Sequence, residues 1–235
     1  MQDFSQSFLL AFELVVALDP DLLEIVALSL RVSLSAVLCS ALIGFPLGAI
    51  LATARFRGRD LLIIMVNALM GLPPVVVGLL VYLALSNAGP FGWLRLLYTP
   101  GAMIIAQTLL ITPIITALTR ELIEQLNGEY DEYFRSLCLS RWQRLRALLW
   151  DARYGLLTVG LAGFGRAIAE VGAVIVVGGN IDHLTRVMTT AIALETSKGD
   201  LALALALGLI LMCIALAVNA GVMTMKSTAN RTAYA

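Results

Sequence analysis

The chain has 235 residues, 60% of them hydrophobic and 14% charged, with a mean hydropathy of +0.90. Soluble domains are nearer half apolar and a quarter charged, and no polar stretch here is long enough to fold as one, so an integral membrane protein is expected. The formal net charge of zero hides a segregation of signs and gives no basis for a nucleic-acid partner.

Residues 1–24 carry Asp3, Glu13, Asp19, Asp21 and Glu24 but no Lys or Arg, which excludes the basic start of a cleavable signal peptide. Phe4, Phe8, Phe12 and Val15 recur at helical spacing before Pro20. Residues 1–22 are therefore expected to form either a helix in the outer membrane interface or one packed on the bundle.

Five apolar runs follow, at Ile25–Ala54, Leu61–Leu85, Gly101–Leu122, Leu156–Val177 and Leu201–Met223. Each can cross a hydrocarbon core, which takes about 20 helical residues. Helices satisfy their own backbone in lipid, so an all-α protein with five transmembrane helices is expected. The first run exceeds the required length and should tilt or protrude. Residues 23–225 form the membrane domain, and 226–235 a short cytoplasmic tail.

Basic residues set the orientation. Eleven of them fall after the first run, between the third and fourth, or after the fifth, against Arg95, Arg186 and Lys198 on the other side. The N-terminus is expected outside the cell membrane and the C-terminus in the cytoplasm.

Gly71-Leu-Pro-Pro74 interrupts the second run, where proline removes a donor and forces a kink or an unwound turn. Such a break either exposes backbone groups to a transport cavity or serves packing alone. In the fourth run Arg166 and Glu170 lie four residues apart on one helix face. Each charge costs about 2.5–3.5 kcal/mol at mid-membrane, so both should face protein or water. They are either a structural ion pair or part of a translocation path. Arg31 carries the same two readings, with Glu170 or an outer carboxylate as candidate partner. Gly163, Gly165, Ala169, Gly172 and Ala173 permit close helix approach. Gly178-Gly179-Asn180 stops the fourth helix, and Thr185–Thr196 is too polar for lipid and reads as a short external helix.

The segment 128–152 is the one substantial polar stretch. Tyr133, Phe134 and Leu137 form one apolar stripe, and Trp142, Leu145 and Leu149 a second. Between them Ser140-Arg-Trp-Gln143 has the form of a capping box, so two short helices should meet at Ser140. The segment is either a docking element, with Glu129, Asp131 and Glu132 ahead of its arginines, or a solvated loop anchored at the headgroups.

Catalysis finds little support. His183, the only histidine, has no second His or Cys near it in sequence for a metal site, and no nucleophile elbow is present. A surface-loop histidine without a chemical role is expected. A phosphate-binding loop needs Gly-Lys-Ser/Thr, and the two lysines follow Ser197 and Met225. Any ATP hydrolysis must come from another subunit. Cys39 and Cys213 lie in apolar runs, where buried free thiols are expected, and Cys138 lies in the polar segment.

The polar segment resembles the coupling loop of binding-protein-dependent ABC importer permeases, which reads Glu-Ala-Ala, three residues, Gly, nine residues, then Ile-x-Leu-Pro. Glu132-Tyr-Phe supplies the acid, Cys138 stands where glycine is usual, and Leu148, Trp150 and Asp151 stand where Ile, Leu and Pro are usual. Leu30-Arg-Val-Ser33 with Gly44-Phe-Pro-Leu-Gly48 is similar to the opening core helix of these permeases. Gly71–Leu79 and Gly165-Arg-Ala-Ile-Ala-Glu-Val-Gly-Ala173 resemble the second and fourth core helices of the molybdate, tungstate and sulfate branch. The stretch from Gly178 to Gly199 is most similar to the tungstate-type permeases.

That resemblance implies a type I importer permease fold without catalysis of its own. Two copies would form the pathway for an oxyanion, with tungstate first and molybdate next. Each would present Asp131, Glu132, Arg135, Cys138, Ser140, Arg141 and Trp142 to one of two cytoplasmic ATPase subunits, which bind the ATP and Mg. An external oxyanion-binding protein would deliver the cargo. Pro73, Pro74, Arg166, Glu170, Gly172 and Asn180 become candidates for the path or its gate. The reading from residues alone keeps a self-sufficient anion carrier or channel as its rival.

Overall fold

A computed structural model describes residues 12–13 and 19–233. The rest of the expected N-terminal helix, with Phe4, Phe8 and Val15, lies outside the described residues. Among those described the chain consists of helices and loops, with no strand.

The first long helix, α1 (Pro20–Thr53), begins where Asp19 accepts the backbone N–H groups of Asp21 and Leu22 and proline occupies the first helical position. Its 34 residues extend about 51 Å, which matches an overlong span. Helices α2 (Arg59–Met70) and α3 (Pro74–Leu85) follow, then α4 (Pro100–Glu129). Two short helices, α5 (Asp131–Ser136) and α6 (Arg141–Asp151), make up the polar segment. The chain continues through α7 (Arg153–Ile168), α8 (Gly172–Gly178) and α9 (Met188–Lys198), and α10 runs from Leu201 to Ala233.

Three helices are long and apolar enough to cross a membrane: α1, α4 and Leu201–Gly221 of α10. Two bent pairs raise the number to five if each is one span. The axes of α2 and α3 meet at 99°, and those of α7 and α8 at 59°. The second apolar run is therefore no kinked rod. Pro73 and Pro74 each disfavour helical backbone in the residue before them, and Pro73 itself is extended at ψ 123°. Two such residues in a row turn the chain through a near right angle.

The centre of the bundle is α1 against α4. A Cβ on Gly48 would lie 2.6 Å from the Thr116 carbonyl oxygen, and one on Gly44 would lie 2.7 Å from the Ile115 side chain. Glycines four apart thus let the two longest central helices touch backbone to backbone. Pro113 interrupts α4, and the hydroxyls of Thr112 and Thr116 bond back to the carbonyls of Thr108 and Thr112.

The large apolar side chains left exposed, such as Leu34, Leu38 and Leu42 on α1 and Leu79, Leu80 and Leu83 on α3, make faces suited to lipid or a partner chain. Arg31 stands above the first of these stripes, exposed and without an ion pair among the described residues. Its expected pairing with Glu170 does not occur, because Glu170 is buried on the far side and already taken. Cys39 and Cys213 are also exposed, contrary to the burial expected of them, because each falls on an outward face of its helix.

Candidate functional site

One half of the site is built where the two bent pairs touch. A Cβ on Gly78, in α3, would lie 2.8 Å from Ala173 Cα, in α8. One on Gly172 would meet the Val75 side chain at 2.7 Å. The residues that follow Pro73 and Pro74 thus lie directly against those that follow Glu170. Four of the expected path residues, scattered over a hundred positions, are brought together.

Glu170 is not on a continuous helix with Arg166. Helix α7 ends at Ile168, and Glu170 sits in the break, 4% exposed. One carboxylate oxygen accepts from the Arg166 guanidinium and the other from the Ala173 N–H at 3.0 Å, in the first turn of α8. The expected ion pair is present, and it also satisfies backbone freed by the break. Thr189 donates to the Glu170 carbonyl at 2.8 Å, which ties α9 to the same point. Asn180 falls elsewhere, at the C-terminal end of α8, where Gly179 at φ +71° and Asn180 at φ +51° stop the helix in left-handed conformations. The helix expected over Thr185–Thr196 runs from Met188 to Lys198, and its first turn is buried.

In the loop that follows α8, His183 lies 2.8 Å from Glu24. The neighbouring carboxylates Glu24 and Asp182 hold its imidazole above the usual histidine value. A cavity of about 570 Å³ opens here, with Asp19, Asp21, Asp182 and Asp200 among its walls. Asp21, Glu24 and His183 place one ligand atom each within 4.8 Å of one another, all exposed. The fold supplies these carboxylates from residues 159 and more positions away in sequence, which is why inspection of the neighbours of His183 misses them.

The other half is the polar segment. Both halves of the expected capping box form: Ser140 Oγ accepts from the Gln143 N–H, and Gln143 Oε1 accepts from the Ser140 N–H at 2.9 Å. The apolar faces match expectation in part. Phe134, from the first stripe, and Leu148, from neither, are the buried anchors, packed with Ala49 and Ile123 of α1 and α4, and Leu145 and Leu149 of the second stripe are partly buried beside them. Tyr133, Trp142 and Trp150 are exposed by 63%, 78% and 71%.

Asp131 is an internal brace more than a surface contact. It accepts from Arg144 at 2.6 Å and pairs with Arg135 at 2.7 Å, and the Arg144 hydrogen bond holds its carboxyl below the usual range. Glu132, one residue on, is exposed and has no ion pair among the described residues. Cys138 takes φ +49°, the left-handed region where glycine is at ease, and so closes α5 at the position where the resemblance expects glycine. A cleft of about 910 Å³ separates this segment from the ends of α1 and α4, with Arg55, Arg59, Arg135, Arg141 and Arg144 on its walls.

A helical bundle with two bent helix pairs and a braced polar segment narrows the candidates, and comparison decides among them. The profile of the family described as "binding-protein-dependent transport system inner membrane component" matches residues 44–223. The chain belongs to this family. As an inner membrane component of such a system it is a multi-pass, non-catalytic translocation subunit, and ATP hydrolysis falls to a separate subunit. A tungstate uptake system permease protein, TupB, of Peptoclostridium acidaminophilum is 39% identical over 96% of this chain and 99% of its own length. A probable anion ABC transporter permease of Haloferax volcanii is 39% identical over 85% of this chain and 88% of its own. The sulfate permease CysT of Escherichia coli is more distant, at 26% identity over 92% and 80%.

Proposed function

We propose that this inner membrane component carries tungstate, with molybdate as the second cargo. The support is the full-length similarity to the tungstate uptake permease, which extends across both broken spans and the inner segment. In this reading five spans cross the membrane, each bent pair counting as one, with the N-terminus outside and the C-terminus inside. Two copies line the pathway, and two ATPase subunits holding ATP and Mg dock on residues 128–152. An external oxyanion-binding protein docks on the outer loops.

Within that assembly Glu132, Trp142 and Arg141 meet the ATPase, being exposed on the braced segment. Asp131, Arg135, Cys138 and Ser140 shape the segment that presents them. Gly172, Arg166 and Glu170 form the zone that rearranges as the path opens, Pro73 and Pro74 form the fixed turn it moves against, and Asn180 ends the half-helix on its outer side. A dianion passes such a zone on backbone donors and helix ends without being trapped by a tight cation, and Glu170 keeps Arg166 from becoming one.

Reconstituted vesicles holding this chain, its ATPase and its binding protein test the reading. ATP-dependent uptake of labelled tungstate, requiring all three, is the expected result. Uptake by this chain alone, driven by an ion gradient, would make it a self-sufficient carrier. Glu132→Lys should leave membrane insertion intact and abolish coupled uptake, and normal uptake would remove the docking role.

A further inference from the structure

At the inner side of the fourth-span break a small polar cavity is closed by four elements. Ser29 and Ser33 come from α1, Gln107 from α4, Glu170 from the break and Thr189 from α9, all between 3% and 8% exposed. The cavity measures about 10 Å³. Its walls are held in place: the Ser29 hydroxyl donates to the Ile25 carbonyl and accepts from the Met188 N–H. Gln107 donates through Nε2 to the Ala167 carbonyl, at the end of α7, at 3.1 Å. With the amide nitrogen committed, Oε1 is left buried and without a partner among the described residues. A buried acceptor of this kind is costly to leave unmade in a low-dielectric interior.

We propose that the cavity binds a single water molecule and that Gln107 anchors it, acting as a positioning residue that sets Glu170 in the break. This rests on the reading that the break belongs to the transport pathway. The size admits one water and nothing larger. The charge balance selects a neutral donor, because the Glu170 carboxylate is already engaged by Arg166 and the Ala173 N–H. A cation would find no free negative charge, and an anion would face a carboxylate and an unsatisfied carbonyl oxygen. Water donates to Gln107 Oε1 and spends its remaining bonds on the serine, threonine and carboxylate walls. Gln107 therefore ties α4 to α7 directly and to α1 and α9 through the water. Any motion that changes the bend between α7 and α8 must break both links together.

Cryo-electron microscopy of the complete transporter, at a resolution that shows ordered water, tests the site in the natural protein and in Gln107→Met, which removes both polar groups at nearly constant volume. Density within hydrogen-bond distance of Gln107 Oε1, lost in the variant, is the expected result. A natural-protein map with the walls collapsed and no density overturns the site even if the variant does not fold. For the positioning role, Gln107→Met should lower ATP-driven uptake about tenfold while ATP hydrolysis continues, so that ATP used per ion rises. Hydrolysis and uptake that fall together, in proportion to folded protein, overturn it, as does unchanged uptake. The map is independent of cargo, so a different transported anion would revise the function without touching the water site.

Discussion

The two bent helix pairs solve the same problem by different means. The break between α2 and α3 is made by two adjacent prolines in a surface-exposed turn, and no side-chain hydrogen bond holds its ends. The break between α7 and α8 contains no proline. It is held by Glu170, which pairs with Arg166, caps Ala173 and receives Thr189, and by Gln107 from α4. The first break is a property of its own residues, whereas the second exists only while four helices are packed around it. A locally encoded bend is rigid and cheap to keep, and a bend held by tertiary contacts can be released. The two touch at Gly78–Ala173 and Val75–Gly172, so a movable element lies against a fixed one.

The largest expected effect tests the held break. Arg166→Ala leaves the buried Glu170 carboxylate uncompensated, a change that costs about 3–5 kcal/mol when one partner of a buried pair is removed. The lower end applies, because the Arg166 side chain is 36% exposed and solvent screens part of the interaction. Thermal unfolding of the purified protein in detergent measures it. Arg166→Ala with Glu170→Ala should recover part of the loss and no more, since the Ala173 cap is then absent. A full recovery would mean that the ion pair alone, and not the cap, holds the bend.

The same contrast explains what could be read in advance. The proline break, the close approach at Gly172 and Ala173, the capping box at Ser140 and the helix stop at Gly178-Gly179-Asn180 all follow from local backbone rules, and each is found in place. The Arg166–Glu170 pair was legible from spacing of four, but its setting was not: no local signal ends α7 at Ile168. Gln107 carries no signal at all, being one polar residue in an apolar run whose partner is a carbonyl 60 positions away. The burial of Leu148 and the exposure of Trp142 were likewise hidden, since they depend on where the ends of α1 and α4 arrive.

Next in size is the contact between the breaks. Gly78→Ala places a methyl group 2.8 Å from the Ala173 backbone, which cannot yield as a side-chain tip can. Overpacking of this kind costs about 1–3 kcal/mol, read again from unfolding. If the fixed and movable elements work against each other, uptake should fall more than folded protein does. Equal losses would make the contact mere packing.

Pro73→Ala sharpens the other side of the comparison. Residue 73 stays before Pro74 and so remains biased to extended backbone, and alanine adopts φ −62°, ψ 123° without strain. The loss is confined to the greater freedom of the unfolded chain, about 0.4–1 kcal/mol. A cost well above that would show that the proline break also depends on its surroundings.

A stabilising change of similar size carries the contrast to the polar segment. Cys138 turns the chain between α5 and α6 at φ +49°, a conformation that costs a side-chain-bearing residue about 1–2 kcal/mol. Glycine would remove that strain but gives up about 0.5–1 kcal/mol through its freer unfolded state. Cys138→Gly should therefore stabilise the protein by about 0.5–1 kcal/mol in thermal unfolding. The turn is braced on both sides, by Asp131 with Arg144 before it and by the Ser140 capping box after it. If the bracing rather than the residue sets the turn, ATPase coupling should be unchanged in Cys138→Gly. A loss of coupling would show instead that the strained backbone at Cys138 is part of how the segment transmits force.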